Sequence, residues 1–190
     1  MDVLVGAVSE LYQGDLHFGR AVADGLDPAA LGAGVAVAHL DYGAVAVAQD
    51  LEDLRPQALV VVGAARRGRR PGMLERRAVA PARQDPADAA KAIAEAVTGY
   101  VSVDLLLEVA AALGVLPPRT VSVELEPVAC APSDRLSAAA VAAIDPARRL
   151  ISAEVRRALR RLPTGRDSPA ERPPAGRPLL RSRAPRPEVR

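Results

Sequence analysis

The chain has 190 residues, 49% of them hydrophobic, with a formal net charge of +2, which gives one compact domain with a real core as the expectation. A single cysteine, Cys130, excludes an intramolecular disulfide and any multi-thiolate metal site, and reads as a structural thiol at a strand exit. The charge is unevenly placed: residues 163–190 hold seven Arg against three acidic residues, so the tail is +4 and the rest of the chain −2. That distribution argues against a nucleic-acid-binding body.

In chain order, Val3 to Val8 is a near-continuous apolar run, as expected of a parallel strand covered on both faces. Phe18 to Leu26 has apolar residues on one helical face. Gly34 to Leu40 predicts a second strand, Ala44 to Leu54 a helix, and Ala58 to Val62 a third strand. Strand, helix, strand, helix, strand is the order that builds right-handed crossovers and a parallel sheet. Met73 to Ala80 predicts a shorter strand, because the turn-forming stretch before it leaves no room for a crossover helix.

Asp88 to Val97 follows Asp85-Pro86, a helix-start signal. Ser102 caps a helix to Leu113 with Val103, Leu106, Leu107 and Ala110 on one face. Val121, Val123 and Leu125 alternate with Ser122, Glu124 and Glu126, the pattern of a strand with one wet face, which predicts an edge strand. Ser137 to Ala143 and Pro146 to Leu162 predict two helices broken at Asp145-Pro146. The expected fold is a three-layer α/β/α domain over 1–162, with about five mostly parallel strands and one antiparallel edge strand. Residues 163–190, rich in Arg and Pro, are expected to be a disordered, solvated tail.

Gly14-Asp15-Leu16-His17-Phe18-Gly19 follows the first strand and opens a helix; Asp41-Tyr42-Gly43 follows the second strand; Gln57 to Ala64 and Arg70-Pro71-Gly72-Met73-Leu74 come next, then Gly99-Tyr100-Val101-Ser102-Val103. In order and spacing these segments resemble the hydrogenase maturation proteases from Met1 to about Leu162. In that family the first loop reads Gly-Asn-x-Leu-x-x-Asp-Glu-Gly-x-Gly, the second is an Asp-Gly-Gly turn, and three side chains, a Glu, an Asp and a His, read nickel already loaded into the large subunit of a nickel-iron hydrogenase. Active relatives then remove a C-terminal extension from that subunit. The resemblance puts the three ligand positions at Leu16, Gly63 and Gly99, none of which can donate to a metal. It therefore implies the large subunit as partner, nickel as a feature of the substrate, no cofactor of the chain's own, and a peptidase-like protein without metal-dependent cleavage.

Other chemistry remains open on the residues themselves. Glu10, Asp15, His17, His39 and Asp41 fall at or near the ends of the first two strands, where α/β sheets bind ligands, so Asp15, His17 and Asp41 are catalytic candidates for a shifted peptidase site, and His17 the first candidate for a replacement metal ligand. Alternatively these are ordinary wet-loop residues and Asp15 caps the helix that begins near Leu16. Arg66, Arg67, Arg69 and Arg70 either form a solvated loop or bind an anion. No P-loop, nucleophile elbow or His-Glu-x-x-His is present. The acidic start, without a long apolar run, predicts no membrane span and a cytoplasmic monomer.

Overall fold

The computed structural model describes residues 1–80, 85–99 and 101–162. Five strands, β1 (Val3–Ala7), β2 (Val35–His39), β3 (Ala58–Ala64), β4 (Leu74–Val79) and β5 (Arg119–Leu125), form one sheet in the order β2-β1-β3-β5-β4. β1 pairs in parallel with β2 and β3, and β3 with β5; only β4 runs antiparallel, against β5. The mostly parallel α/β sheet with one antiparallel edge is thus the one anticipated.

Helices cover both faces. α1 (Phe18–Ala23) follows a 3-10 turn at Gly14–His17, and α2 (Pro28–Leu31) is a single turn capped by Asp27, which accepts from the Ala29 N–H at 2.9 Å. α3 (Ala44–Leu54), α4 (Pro86–Ala96), α5 (Val103–Ala112) and α6 (Ala138–Arg161) complete the layers. Leu4, Leu59 and Val61 pack against Val47, Leu51, Leu106 and Val109 on one face. Val3, Val5, Val60 and Val62 pack against Phe18, Val22, Ile151 and Val155 on the other. Gly19 lets α1 sit directly on the strand ends: a Cβ there would lie 2.2 Å from the Val8 carbonyl oxygen and 2.6 Å from that of Val62.

Two expectations are corrected. β5 is not an edge strand: it lies between β3 and β4, and Ser122 and Glu124 on its supposed wet face are fully buried. Guanidinium groups, rather than water, meet that face. Second, Asp145-Pro146 does not break the last helix, because α6 runs through Pro146 without interruption. Proline removes one donor there, and the carbonyl that would have received it belongs to exposed Ala142, where water can serve. Ala143, Ala147 and Ile151, on the buried face, hold the two halves to the sheet. The 163–190 tail and Tyr100 lie outside the described residues.

Candidate functional site

The C-terminal ends of the parallel strands, at Ala7, His39, Ala64 and Leu125, lie along one side of the sheet, so the loops after β1, β2, β3 and β5 share one crevice. Every residue singled out from the sequence falls in or beside these loops or in the segment leading to α5. Their surroundings differ sharply.

Asp15 does not cap its own helix: the residue before the 3-10 turn is Gln13, and no side chain caps that turn. The Asp15 side chain instead reaches across to the segment after β5. One carboxylate oxygen accepts from the Val128 N–H (2.8 Å), the Ala129 N–H (3.1 Å) and the Ser137 hydroxyl (2.9 Å), while the other accepts from the Ser137 N–H (2.7 Å). Backbone bonds from Gly14 N to Ser133 O and from Asp15 N to Ala129 O join the same two segments. Asp15 is fully buried. Burial pushes its pKa up, but the bonds from Ser137, Ala129 and Val128 outweigh it and hold the carboxyl below the ordinary range. A carboxylate with this many fixed donors is a structural anchor.

His17 lies beside Arg20, Asp24, Asp41 and His39. Arg20 donates to Asp41 at 3.1 Å, and His39 Nε2 is 3.1 Å from an Asp24 oxygen. Burial, then the Arg20 charge and His39, lower the His17 pKa against the opposing pull of Asp24 and Asp41, which favours neutral imidazole near pH 7. Nδ1 of His17 and Nδ1 of His39 are both shielded and lack a hydrogen-bond partner. Among the described residues, no group of three His, Cys, Asp or Glu side chains is placed to hold a metal ion. Glu10, Asp15, His17, His39 and Asp41 therefore do not converge into one ligand set.

The three positions that the resemblance marks as ligands are shaped differently. Leu16 belongs to the 3-10 turn and accepts from the Glu10 N–H through its carbonyl at 3.0 Å. Gly99 is open, with nothing within 4 Å of an added Cβ, and it faces Gly43 across the crevice. Gly63 is closed: a Cβ there would lie 2.7 Å from Val103 Cγ2 and 3.0 Å from the Val8 carbonyl oxygen. Val103 is buried and β-branched, so it has few rotamers into which to retreat. Restoring a carboxylate by Gly63→Asp is therefore expected to cost about 1–3 kcal/mol through overpacking, with Val103→Ala recovering part of it. Thermal unfolding of the single and double variants measures this, and a neutral single variant would contradict the closed geometry.

The arginine loop is occupied from within. Arg67 places Nε and Nη2 on Glu124 at 2.9 and 3.0 Å, and Nη1 and Nη2 on Asp104 at 2.8 and 2.7 Å. Arg69 bonds Glu75 at 2.6 Å and Glu126 at 3.2 Å, and Arg77 adds a bond to Glu124 at 3.0 Å. The Arg67 and Gly68 N–H groups donate to Glu126 at 2.8 and 3.3 Å. Burial raises the pKa of Glu124, but the bonds from Arg67, Ser122 and Arg77 prevail and bring it down to about 2. Arg67 and Arg69 thus balance the buried carboxylates of Glu124 in β5 and Glu126 just after it, and Arg66 and Arg70 lie on the exposed part of the same loop. Sequence reading missed this network, although Glu124 and Glu126 in an apolar strand two residues apart, with Arg67 and Arg69 at the same spacing, carried a signal for it.

No family model matches the sequence, and no curated protein matches it significantly. Solved structures do match. The hydrogenase maturating endopeptidase HybD from E. coli superposes with a TM-score of 0.60 at 19% identity, covering 83% of this chain and 93% of that one. A hydrogenase 2 maturation peptidase from Thaumarchaeota archaeon SCGC_AB-539-E09 gives 0.52 at 24% identity over 80% and 95%. The [NiFe] hydrogenase maturation protease HycI from Thermococcus kodakarensis KOD1 gives 0.53 at 13% identity over 82% and 92%. The chain has the fold of the hydrogenase maturation endopeptidases.

Proposed function

We propose that this chain is a hydrogenase maturation protease-like protein that takes part in the maturation of a nickel-iron hydrogenase large subunit without cleaving it in a metal-dependent way. The fold supports the first half. One observation carries the second: the three positions that should read the nickel are Leu16, Gly63 and Gly99, and Val103 has closed over Gly63. Nickel on this reading belongs to the substrate, and the chain holds no metal of its own. Its role is to bind the large subunit or its C-terminal extension during assembly, in the cytoplasm. Among the described residues no helix is long and apolar enough to cross a membrane.

A second reading, an endopeptidase acting through a shifted site, draws on His17 and His39, whose shielded Nδ1 atoms lack partners while Asp24 orients His39. Asp15 and Asp41 give it little support, since both carboxylates are engaged by protein donors. The anion-binding reading of the Arg66–Arg70 loop is weakened in the same way, because Arg67 and Arg69 are committed to Glu124, Glu126, Asp104 and Glu75.

The test is the intact mass of a nickel-loaded, extension-bearing large subunit from the same organism, before and after incubation with this protein, beside a protease that cleaves the sample. Unchanged mass together with a complex on size exclusion is the expected result. Loss of the C-terminal peptide would establish the second reading, with His17→Ala as the variant to abolish it. Neither cleavage nor complex would remove the hydrogenase role.

A further inference from the structure

At the opposite end of the sheet from the crevice, a cavity of about 380 Å³ opens between the C-terminal half of α6 and the β3, β5 and β4 strands. That volume lies in the range of small-molecule sites. Its apolar lining includes Ala58, Val60, Ala78, Val121 and Ala158.

The cavity's polar lining is strongly one-signed. Arg76, Arg119, Arg157 and Arg161 stand around it, with Glu154 as the only carboxylate among the lining residues. Glu154 is already shared, 3.1 Å from Arg76 and 3.6 Å from Arg157. Arg119 and Arg161 make no ion pair among the described residues. Arg76 Nε is buried and has no acceptor among the described residues. The Arg76 guanidinium thus lines the cavity with one donor unmet and with its charge shared only with Glu154.

We propose that this cavity binds a small organic anion, with its apolar body on Val60, Val121 and Ala158 and its acid group among Arg76, Arg119 and Arg161. A carboxylate and a phosphate ester share the needed chemistry, since both accept paired N–H donors from a guanidinium. Apolar contact with an acidic end is what the lining selects, so inorganic phosphate and a neutral analogue should each bind more weakly than a molecule with both parts. The site is remote from the crevice, and its success or failure is independent of the role in hydrogenase maturation.

Octanoate and phenyl phosphate are the probes, with inorganic phosphate and benzyl alcohol as controls, titrated into the full chain and followed by amide chemical shifts and calorimetry. Saturable binding by one or both organic anions, with shifts confined to residues 58–60, 76–80, 118–121 and 154–161, is the expected result; which of the two binds tighter distinguishes a carboxylate from a phosphate site. The double variant Arg119→Gln/Arg161→Gln changes two exposed side chains and should weaken binding about tenfold or more without changing Tm. Ala158→Leu should block binding by filling the cavity. No saturable binding, shifts at other residues, equal binding of benzyl alcohol, or full affinity in the double variant would each overturn the proposal.

Discussion

Replacing Glu124 by Ala is expected to destabilise the fold by about 3–5 kcal/mol, the range for removing one partner from a buried charge pair. Glu124 is wholly buried, and its two oxygens receive Arg67, Arg77, Arg69 and Ser122. Without them, the Arg67 fork keeps Asp104, but the inward donors of Arg67 and Arg77 face an apolar gap. Urea unfolding at pH 7 reads the loss as a fall in midpoint at constant slope; a change below about 1 kcal/mol would show that the network is dispensable.

The same residue sets the acid behaviour. Its pKa is about 2 in the folded chain against an ordinary 4.5, so between these values the unfolded chain binds more protons. Stability from this carboxylate is complete above pH 4.5 and is lost as pH falls toward 2, amounting to about 3 kcal/mol. Glu124→Gln should flatten that limb of a midpoint-against-pH plot. An unchanged acid limb would place the protonation elsewhere.

The second large effect is expected from Asp15→Ala, a loss of about 3 kcal/mol or more, since hydrogen bonds to a charged group contribute about 1.5–3 kcal/mol each and here share one buried acceptor. The amides of Val128, Ala129 and Ser137 should lose protection from hydrogen exchange, because each donates to this carboxylate. Ser137→Ala, which removes one hydroxyl and the α6 cap together, should reproduce only part of the loss. If Asp15→Ala leaves stability and exchange intact, the anchor role is wrong. This bears on any search for activity: a dead Asp15 variant reports a loosened loop, while His17→Ala tests the imidazole with no comparable structural bond removed.

Three Asp-Pro pairs show how far local signals reach. Asp27-Pro28 and Asp85-Pro86 open α2 and α4, each Asp accepting from the N–H two residues on. Asp145-Pro146 has the same chemistry and lies inside α6, because Ser137 has already capped that helix and the sheet buries residues on both sides of the proline. The strand-helix order was legible because apolar periodicity is a local property, and so was the cap at Ser102. The identities at positions 16, 63 and 99, and with them the loss of metal-donor atoms, are also facts of sequence alone.

What only the tertiary structure decided is which groups solvate the buried charges. Alternation in β5 announced polar side chains on one face, but a binary pattern does not distinguish water from a guanidinium, so Glu124 read as exposed when Arg67 and Arg77 enclose it. Asp15 read as a local cap because its partners lie more than a hundred residues away in sequence. The closure of Gly63 depends on Val103, forty positions on, and the arginine-lined cavity gathers residues from β3, β4, β5 and α6. Local chemistry fixed the elements, and long-range packing assigned their charged side chains to structure or to solvent.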